Sequence, residues 1–416
     1  NLPKAELHIH LDGTFDPDFL WKYMREHPES VYCLPVSTTP PWEDPPKQLK
    51  VRGMVEECKT SKDFHELCTC RGYRSLKQML NCFELFLPLV RGNLQLIEQL
   101  AFDFCQRQFE QNAVYTEVRY SPHLLAEDIA PGGDAKQPTV SADDIYMSVT
   151  KGLRLGCKTF KITVNQILCA ITWRPDWADS TLELAVKYRN SGPCAVVGVD
   201  IASGEEHFDA LNFPDLFAPH FVMAKKAREK QIPLTIHAGE MTTEVARENV
   251  RRAVIEYGAK RIGHGYQMAA DESIMEVVKE NDVHVEICPT SSVETGGWMY
   301  KVRDWSKHPI RTMMEHGLSV SLSSDDPAVF HTSLAWQYRI ALAKMKCSRS
   351  AVIKMNLDAI DAAFCSDEEK AKFRTSLLSF VEDCHLEGLE KDFKKFQNVG
   401  ERPASSLSLK ATESFS

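Results

Sequence analysis

The chain has 416 residues, a net charge of −9, 43% apolar and 26% charged residues, an ordinary soluble globular composition. Lys and Arg are scattered among a surplus of Asp and Glu, which excludes a nucleic-acid duplex or an anionic membrane as the main partner, and no apolar stretch approaches the roughly 20 residues of a bilayer span. The 13 cysteines are odd in number and follow no framework spacing, no Asn-x-Ser/Thr acceptor occurs, and no basic-then-apolar leader precedes the first strand; reduced thiols and a cytoplasmic location are expected.

Apolar runs predict strands at 5–11, 113–120, 159–164, 195–201, 233–237, 260–263, 284–288 and 319–323. Amphipathic stretches at 221–230, 243–257, 271–280 and 310–316 fall between the later strands and predict helices. This alternation predicts an α/β fold with a parallel sheet, closed as a (β/α)8 TIM barrel. An open doubly wound sheet is the alternative, but it normally carries a Gly-rich turn after its first strand, and none is present. A Pro-dense stretch at 31–50 and predicted helices at 75–92 and 93–111 interrupt the rhythm after strand one. Residues 31–112 are therefore expected to form an insertion on the active-site face, with a helical lid. Further helices are predicted at 333–346, 348–365 and 367–385, packed outside the barrel. Residues 1–400 are read as one domain, and 401–416 as a polar, Ser-rich, flexible tail.

The chemistry lies at strand ends. In Leu7-His8-Ile9-His10-Leu11-Asp12 the period of two places His8, His10 and Asp12 on one face, the spacing with which two imidazoles reach one metal. Two hydrogen-bonded histidines are the plainer alternative. His237-Ala238-Gly239-Glu240 ends a second strand and offers a third imidazole with a carboxylate three residues on, although Gly-Glu also commonly starts a helix. Gly263-His264-Gly265 is either a tight turn or an imidazole flanked by glycines so that a ligand can approach closely. Ser324-Asp325-Asp326-Pro327 sets two repelling carboxylates side by side, and a helix cap accounts for only one of them. Three histidines and an aspartate form a nitrogen-and-oxygen set suited to zinc, which lowers the pKa of bound water from about 15.7 toward 7. No bridging Lys is evident, so one metal is expected rather than two.

Together with Glu117-Val118-Arg119-Tyr120-Ser121-Pro122 and Gly263-His264-Gly265-Tyr266, these motifs resemble the adenosine deaminase family in order and spacing, from about Leu2 to Glu382. The likeness is greatest to its intracellular animal-type members. The resemblance implies an amidohydrolase-type TIM barrel converting adenosine and 2′-deoxyadenosine, with water, to inosine and 2′-deoxyinosine plus ammonia, in purine salvage. It implies that His8, His10, His237 and Asp325 ligate one Zn2+. Glu240 is then the proton donor to purine N1, His264 and Asp325 orient the attacking hydroxide, Asp326 pairs with N7 and Asp12 with the ribose 5′-hydroxyl. Leu76, Met79, Leu80 and Phe83 match the family's hydrophobic gate, with ordinary core packing as the alternative. Two positions depart from the family. Its usual Asp-Leu-Ala-Gly-Asp-Glu is here Asp200-Ile201-Ala202-Ser203-Gly204-Glu205, so the backbone donor to N3 falls on Ser203 or Gly204; and Ile171 stands where Met is common.

The absence of Pro-Cys-x-x-Cys excludes the cytidine and tRNA deaminase class. An AMP deaminase is the nearest alternative within the fold, although Asp12 would repel a 5′-phosphate. A catalytically silent nucleoside-binding module is disfavoured by the presence of both Glu240 and His264.

Overall fold

The structure is a computed structural model that describes residues 2–27, 58–72, 75–83, 85–126, 140–205, 214–298 and 304–383. Eight strands, β1 (Lys4–His10), β2 (Ala113–Tyr120), β3 (Thr163–Ile171), β4 (Val196–Ala202), β5 (Leu234–Ala238), β6 (Arg261–His264), β7 (His284–Ile287) and β8 (Val320–Leu322), form one sheet in sequential order, every pair parallel. The sheet curls so that its ends meet just beyond β8. There Ile9 bridges Asp325, with His10 N donating to Asp325 O at 3.0 Å and Asp325 N donating to His8 O at 3.1 Å. The predicted (β/α)8 TIM barrel is the observed fold.

Helices cover the outside because each strand turns an apolar face outward. Ala5 and Leu7 of β1 pack with Ile360 and Ala363 at the end of helix Arg349–Ala362 and with Leu377 of helix Asp367–Asp383, all essentially buried. These two helices and Leu334–Ala343 are the expected C-terminal additions; Leu334–Ala343 and Arg349–Ala362 end three residues short of their predicted bounds, and the last is described to Asp383. Seven of the predicted strands agree to within about two residues. The third does not: 159–164 was expected, but Thr159 and Phe160 end the helix Ala142–Phe160, and the strand runs Thr163–Ile171. A capping box between Ser141 and Asp144 starts this helix, and Lys161 at φ 58 ends it. The predicted strand stops before the polar Asn165 and Gln166, which lie inside β3. Gln166 is buried and satisfied by Thr150 and the Cys194 carbonyl.

The barrel interior is ionic below its mouth, where bulky aliphatic side chains are more usual. Arg119 of β2 reaches Asp200 of β4 at 2.8 Å and Glu286 of β7 at 2.7 Å, and Arg261 of β6 reaches Glu117 of β2 at 2.6 Å and Glu286 at 2.7 Å. All five side chains are at most 1% exposed. Removing one partner from such a network strands a charge at a cost of about 3–5 kcal/mol, so these charges fix one another's positions.

Between β1 and β2 lie helices Ser61–Cys68, Leu76–Phe83, Leu87–Val90 and Leu94–Glu110. The single helix predicted over 75–92 is interrupted near Leu85, and Pro88 starts a new short turn. Helix Ser61–Cys68 is tied to the barrel by Cys70 N donating to Val329 O at 2.8 Å. The Pro-dense stretch at 31–50 and the tail at 401–416 lie outside the described residues.

Candidate active site

Closure of the barrel at Ile9 and Asp325 brings the first and last strands together at the C-terminal mouth, where barrel enzymes place their chemistry. His8 Nε2 lies 3.2 Å from Asp325 Oδ1, His10 Nε2 lies 3.5 Å from the same oxygen, and His10 Nε2 lies 3.2 Å from His237 Nε2. Four donors held about 2.0–2.1 Å from one centre in a tetrahedron are separated by about 3.3 Å, so these distances fit a zinc site. His8 Nε2 is buried without a hydrogen-bond partner among the described residues, which suits a metal-ligand atom.

The protonation pattern of the ring nitrogens follows from their partners. His8 Nδ1–H donates to Glu286 Oε2 at 2.8 Å, and His237 Nδ1–H donates to Asp200, whose oxygens lie 3.1 and 3.2 Å away. Burial alone would raise both carboxyls. The nearby Arg119 and Arg261 hold Glu286 well below the usual carboxylate range, and His237 and Arg119 do the same for Asp200. Both acids are therefore acceptors only, and Nε2 of each imidazole is left with its lone pair free. Burial, followed by the neighbouring His237, keeps His10 well below the usual histidine range, in the neutral form that ligates. For His8 burial and Arg119 act in the same direction but are overcome by Asp325 and Glu286, which favour a cation at this point.

The cavity above the quartet contains about 670 Å³ of space unfilled by atoms, part of it open to solvent. It brings together every predicted site residue except His8, which lies beneath its floor, and Gly204, which is buried beside it with its carbonyl accepting from Thr172 Oγ1 at 3.0 Å. Asp12, Asp326, Glu240 and His264 line the polar side with His10, His237 and Asp325. Leu76, Met79, Leu80 and Phe83 form one wall, with Leu87 beside them; Ile171, Cys169, Leu124 and Trp173 form another. Ser203 lines the cavity, and its Oγ accepts from Trp173 Nε1 at 3.2 Å.

The acids of this cavity differ in state. Burial lifts the Asp12 carboxyl to about 7. Burial, then repulsion from Asp325, Asp12 and Glu240, pushes the Asp326 carboxyl well above the usual range, which favours its protonated form. Oδ1 of Asp12 and Oδ1 of Asp326 are both buried without a hydrogen-bond partner, an arrangement that costs free energy unless a ligand meets them. Asp325, His264 and Ser203 adopt φ of 64°, 69° and 86°, left-handed conformations that non-glycine residues rarely take and that tend to gather at functional sites. His264 Nε2 lies 3.8 Å from Glu240 Oε2, and its Nδ1 is 3.2 Å from the Tyr266 hydroxyl. Gly263 is required beneath them, because a Cβ there would come within 2.8 Å of His8 Cε1.

Sequence reasoning did not single out Asp200, Glu286 or Arg119 as determinants of the histidines, nor Tyr266, Trp173 or Glu205. A readable signal existed for Asp200 and Glu286, each the lone acid inside a strand of otherwise uncharged residues, while Arg119 shares β2 with a second charge, Glu117. For Trp173 and Glu205 the relevant partners are brought together only by the closed barrel, and Tyr266 joins its near neighbour His264 to the distant Cys288.

Comparison with known proteins agrees with this geometry. Residues 57–380 match the family model described as adenosine deaminase. The adenosine deaminase of Xenopus laevis is 31% identical over 373 residues, covering 89% of this chain and 93% of that protein. Two solved structures share the fold: an Arabidopsis N6-mAMP deaminase (TM-score 0.69, 22% identity, 91% and 98% of the two chains) and a Burkholderia ambifaria amidohydrolase with bound Zn (TM-score 0.65, 18% identity, 95% and 91%). The chain belongs to the adenosine deaminase family and is an adenosine-deaminating hydrolase.

Proposed function

We propose that this chain is a zinc-dependent deaminase of adenosine and 2′-deoxyadenosine, acting on free nucleosides in purine salvage. The observation that carries the reading is one cavity at whose floor three imidazoles and Asp325 converge beside Glu240, His264, Asp12 and Asp326, with no Lys or Arg among its described lining residues. His8, His10, His237 and Asp325 would hold one zinc ion. The chemistry zinc supplies when bound in such a set is acidification of water toward neutral pH.

Addition of water to C6 interrupts the conjugation of the purine ring, so a proton must reach N1 as the bond forms. Glu240 is suited to deliver it. His264 orients the attacking oxygen and stabilises the charge that develops there, and Asp325 holds that oxygen from the other side. Asp326, whose protonated form its buried acidic surroundings favour, pairs with N7, which is an acceptor. Asp12 accepts from the ribose 5′-hydroxyl, and the Ser203–Gly204 turn presents the backbone donor to N3. Leu76, Met79, Leu80 and Phe83 cover the nucleoside and keep bulk water from the reaction.

The acidic lining favours a nucleoside over a nucleotide, because a 5′-phosphate placed near Asp12 would face a carboxyl group and no cation among the described lining residues. The described cysteines are free thiols, consistent with a reducing, cytoplasmic setting, and no described helix is long and apolar enough to cross a membrane. Purified protein supplied in parallel with adenosine, 2′-deoxyadenosine, AMP and N6-methyl-AMP tests the reading. Turnover of both nucleosides is expected; faster turnover of either nucleotide would replace the proposal with a nucleotide deaminase.

A further inference from the structure

Three consecutive backbone N–H groups after β5 end on a single carboxylate. Glu205 Oε1 accepts from Gly239 N at 2.6 Å, and Oε2 accepts from Glu240 N and Met241 N at 2.8 Å each. Asn249 Nδ2 adds a fourth contact, 3.3 Å from Oε1, and Glu205 is only 2% exposed. A carboxylate offers about four lone-pair sites, enough for all four donors. Gly239 at φ 75 turns the chain so that its donors point the same way, and a Cβ at that position would lie 2.7 Å from Val250. The segment carrying Glu205 is itself fixed: Thr172 N donates to Ala202 O at 3.0 Å, Thr172 Oγ1 donates to Gly204 O at 3.0 Å, and Trp173 Nε1 donates to Ser203 Oγ at 3.2 Å. The ends of β3, β4 and β5 are thereby joined through one short turn, which presents Ser203 to the cavity on one side and holds the backbone of Glu240 on the other.

We propose that Glu205 is a positioning residue for the deamination: its carboxylate fixes the 239–241 turn so that Glu240 faces the ring nitrogen it protonates, and it couples that alignment to the Ser203 wall. The inference rests on the reading of Glu240 as proton donor. Glu205 itself touches neither substrate nor metal ligand side chain. Proton transfer needs its groups aligned to within about 0.5 Å, and the Cα of Glu240 is the pivot for that alignment. Replacing Glu205 with Gln leaves one acceptor oxygen and turns an NH2 toward backbone donors, so at least one N–H loses its partner. Replacing it with Asp keeps the charge but withdraws it by one methylene.

Glu205→Gln and Glu205→Asp, each purified as the full zinc-loaded chain with metal content measured, test the proposal. Both are expected to lose about tenfold or more in kcat for adenosine while KM stays within about threefold of wild type. The specific readout is inhibition by purine riboside and by 1-deazapurine riboside, in which carbon replaces N1. Wild type is expected to prefer the compound with N1. In the variants that preference is expected to collapse by about tenfold, with the loss confined to purine riboside. Equal weakening of both inhibitors, or wild-type kcat, would overturn the assignment; if Glu205→Gln does not fold, Glu205→Asp carries the same comparison. Failure of the wild-type protein to deaminate adenosine, or to distinguish the two inhibitors, would overturn the reading of Glu240 itself, and this proposal with it.

Discussion

Gly13 lies against the carboxyl group on which purine recognition is proposed to depend. A Cβ built there would stand 1.8 Å from Asp326 Oδ1, 2.6 Å from its Cγ and 2.7 Å from its Cβ. Gly13→Ala therefore displaces Asp326 by roughly 1.5 Å before ordinary contact is restored. Asp326 is 2% exposed, and the displaced oxygen has to shift within the cavity shared with His10, Asp12 and Glu240. A misplacement of about 1 Å at a reacting centre costs on the order of a hundredfold. The expected fall in kcat/KM is about a hundredfold, equivalent to about 2.7 kcal/mol of transition-state stabilisation. Overpacking should also cost about 1–3 kcal/mol of stability, measurable by urea unfolding, while metal content stays unchanged. The assay is the fall in adenine ultraviolet absorbance for Gly13→Ala, for Asp326→Gly, which removes all three clashing atoms, and for the double variant. The double variant should be no slower than Asp326→Gly alone. Additive losses, or a Gly13→Ala enzyme within about threefold of wild type, would refute the assignment of Asp326 to recognition.

Two further predictions test the surroundings of the site. Asp200→Asn keeps the shape of the side chain but weakens the acceptor that orients His237, so metal affinity should fall about 10–100-fold in a metal-buffered titration; unchanged affinity would show that the contact is incidental. His308 is buried, with its Nδ1 accepting from Ile310 N at 3.2 Å, and burial pushes its pKa down to about 3. Its unfolded value is about 6.5, so the unfolded chain takes up the extra proton first, and stability is lost as pH falls below about 6.5 toward 3. Between about pH 7.5 and pH 5 this single group should cost about 2 kcal/mol. His308→Gln should remove that much of the pH dependence in urea unfolding, and identical slopes for the two proteins would contradict it.

Much of this site can be read from one chain because its chemistry sits at strand ends, where a period of two and a following turn leave a local signature. His8, His10, His237, Glu240, His264, Asp325 and Asp326 all carry that signature, and all meet at the barrel mouth. The layer beneath is harder to read. Arg119 and Glu286 are 167 residues apart in sequence, and Glu205 and Glu240 are 35 apart, so their pairing depends on strand order rather than on local pattern. The third strand was misplaced for a related reason. Thr159 and Phe160 have the composition of a strand, but the capping box at Ser141 and the packing of the helix against Leu94–Glu110 extend the helix through them. The apolar stripe of Leu76, Met79, Leu80 and Phe83 was legible as a helical spacing, but which cavity it lines is a property of the closed barrel.

Zinc held by His8, His10, His237 and Asp325 is proposed to supply the chemistry that deaminates adenosine. The most direct test is ammonia release from adenosine by the purified chain, with bound metal quantified, before chelation, after chelation and after zinc is restored. One zinc per chain, loss of turnover on chelation and its return with zinc are predicted. Undiminished ammonia release from protein shown to be free of metal would contradict the account.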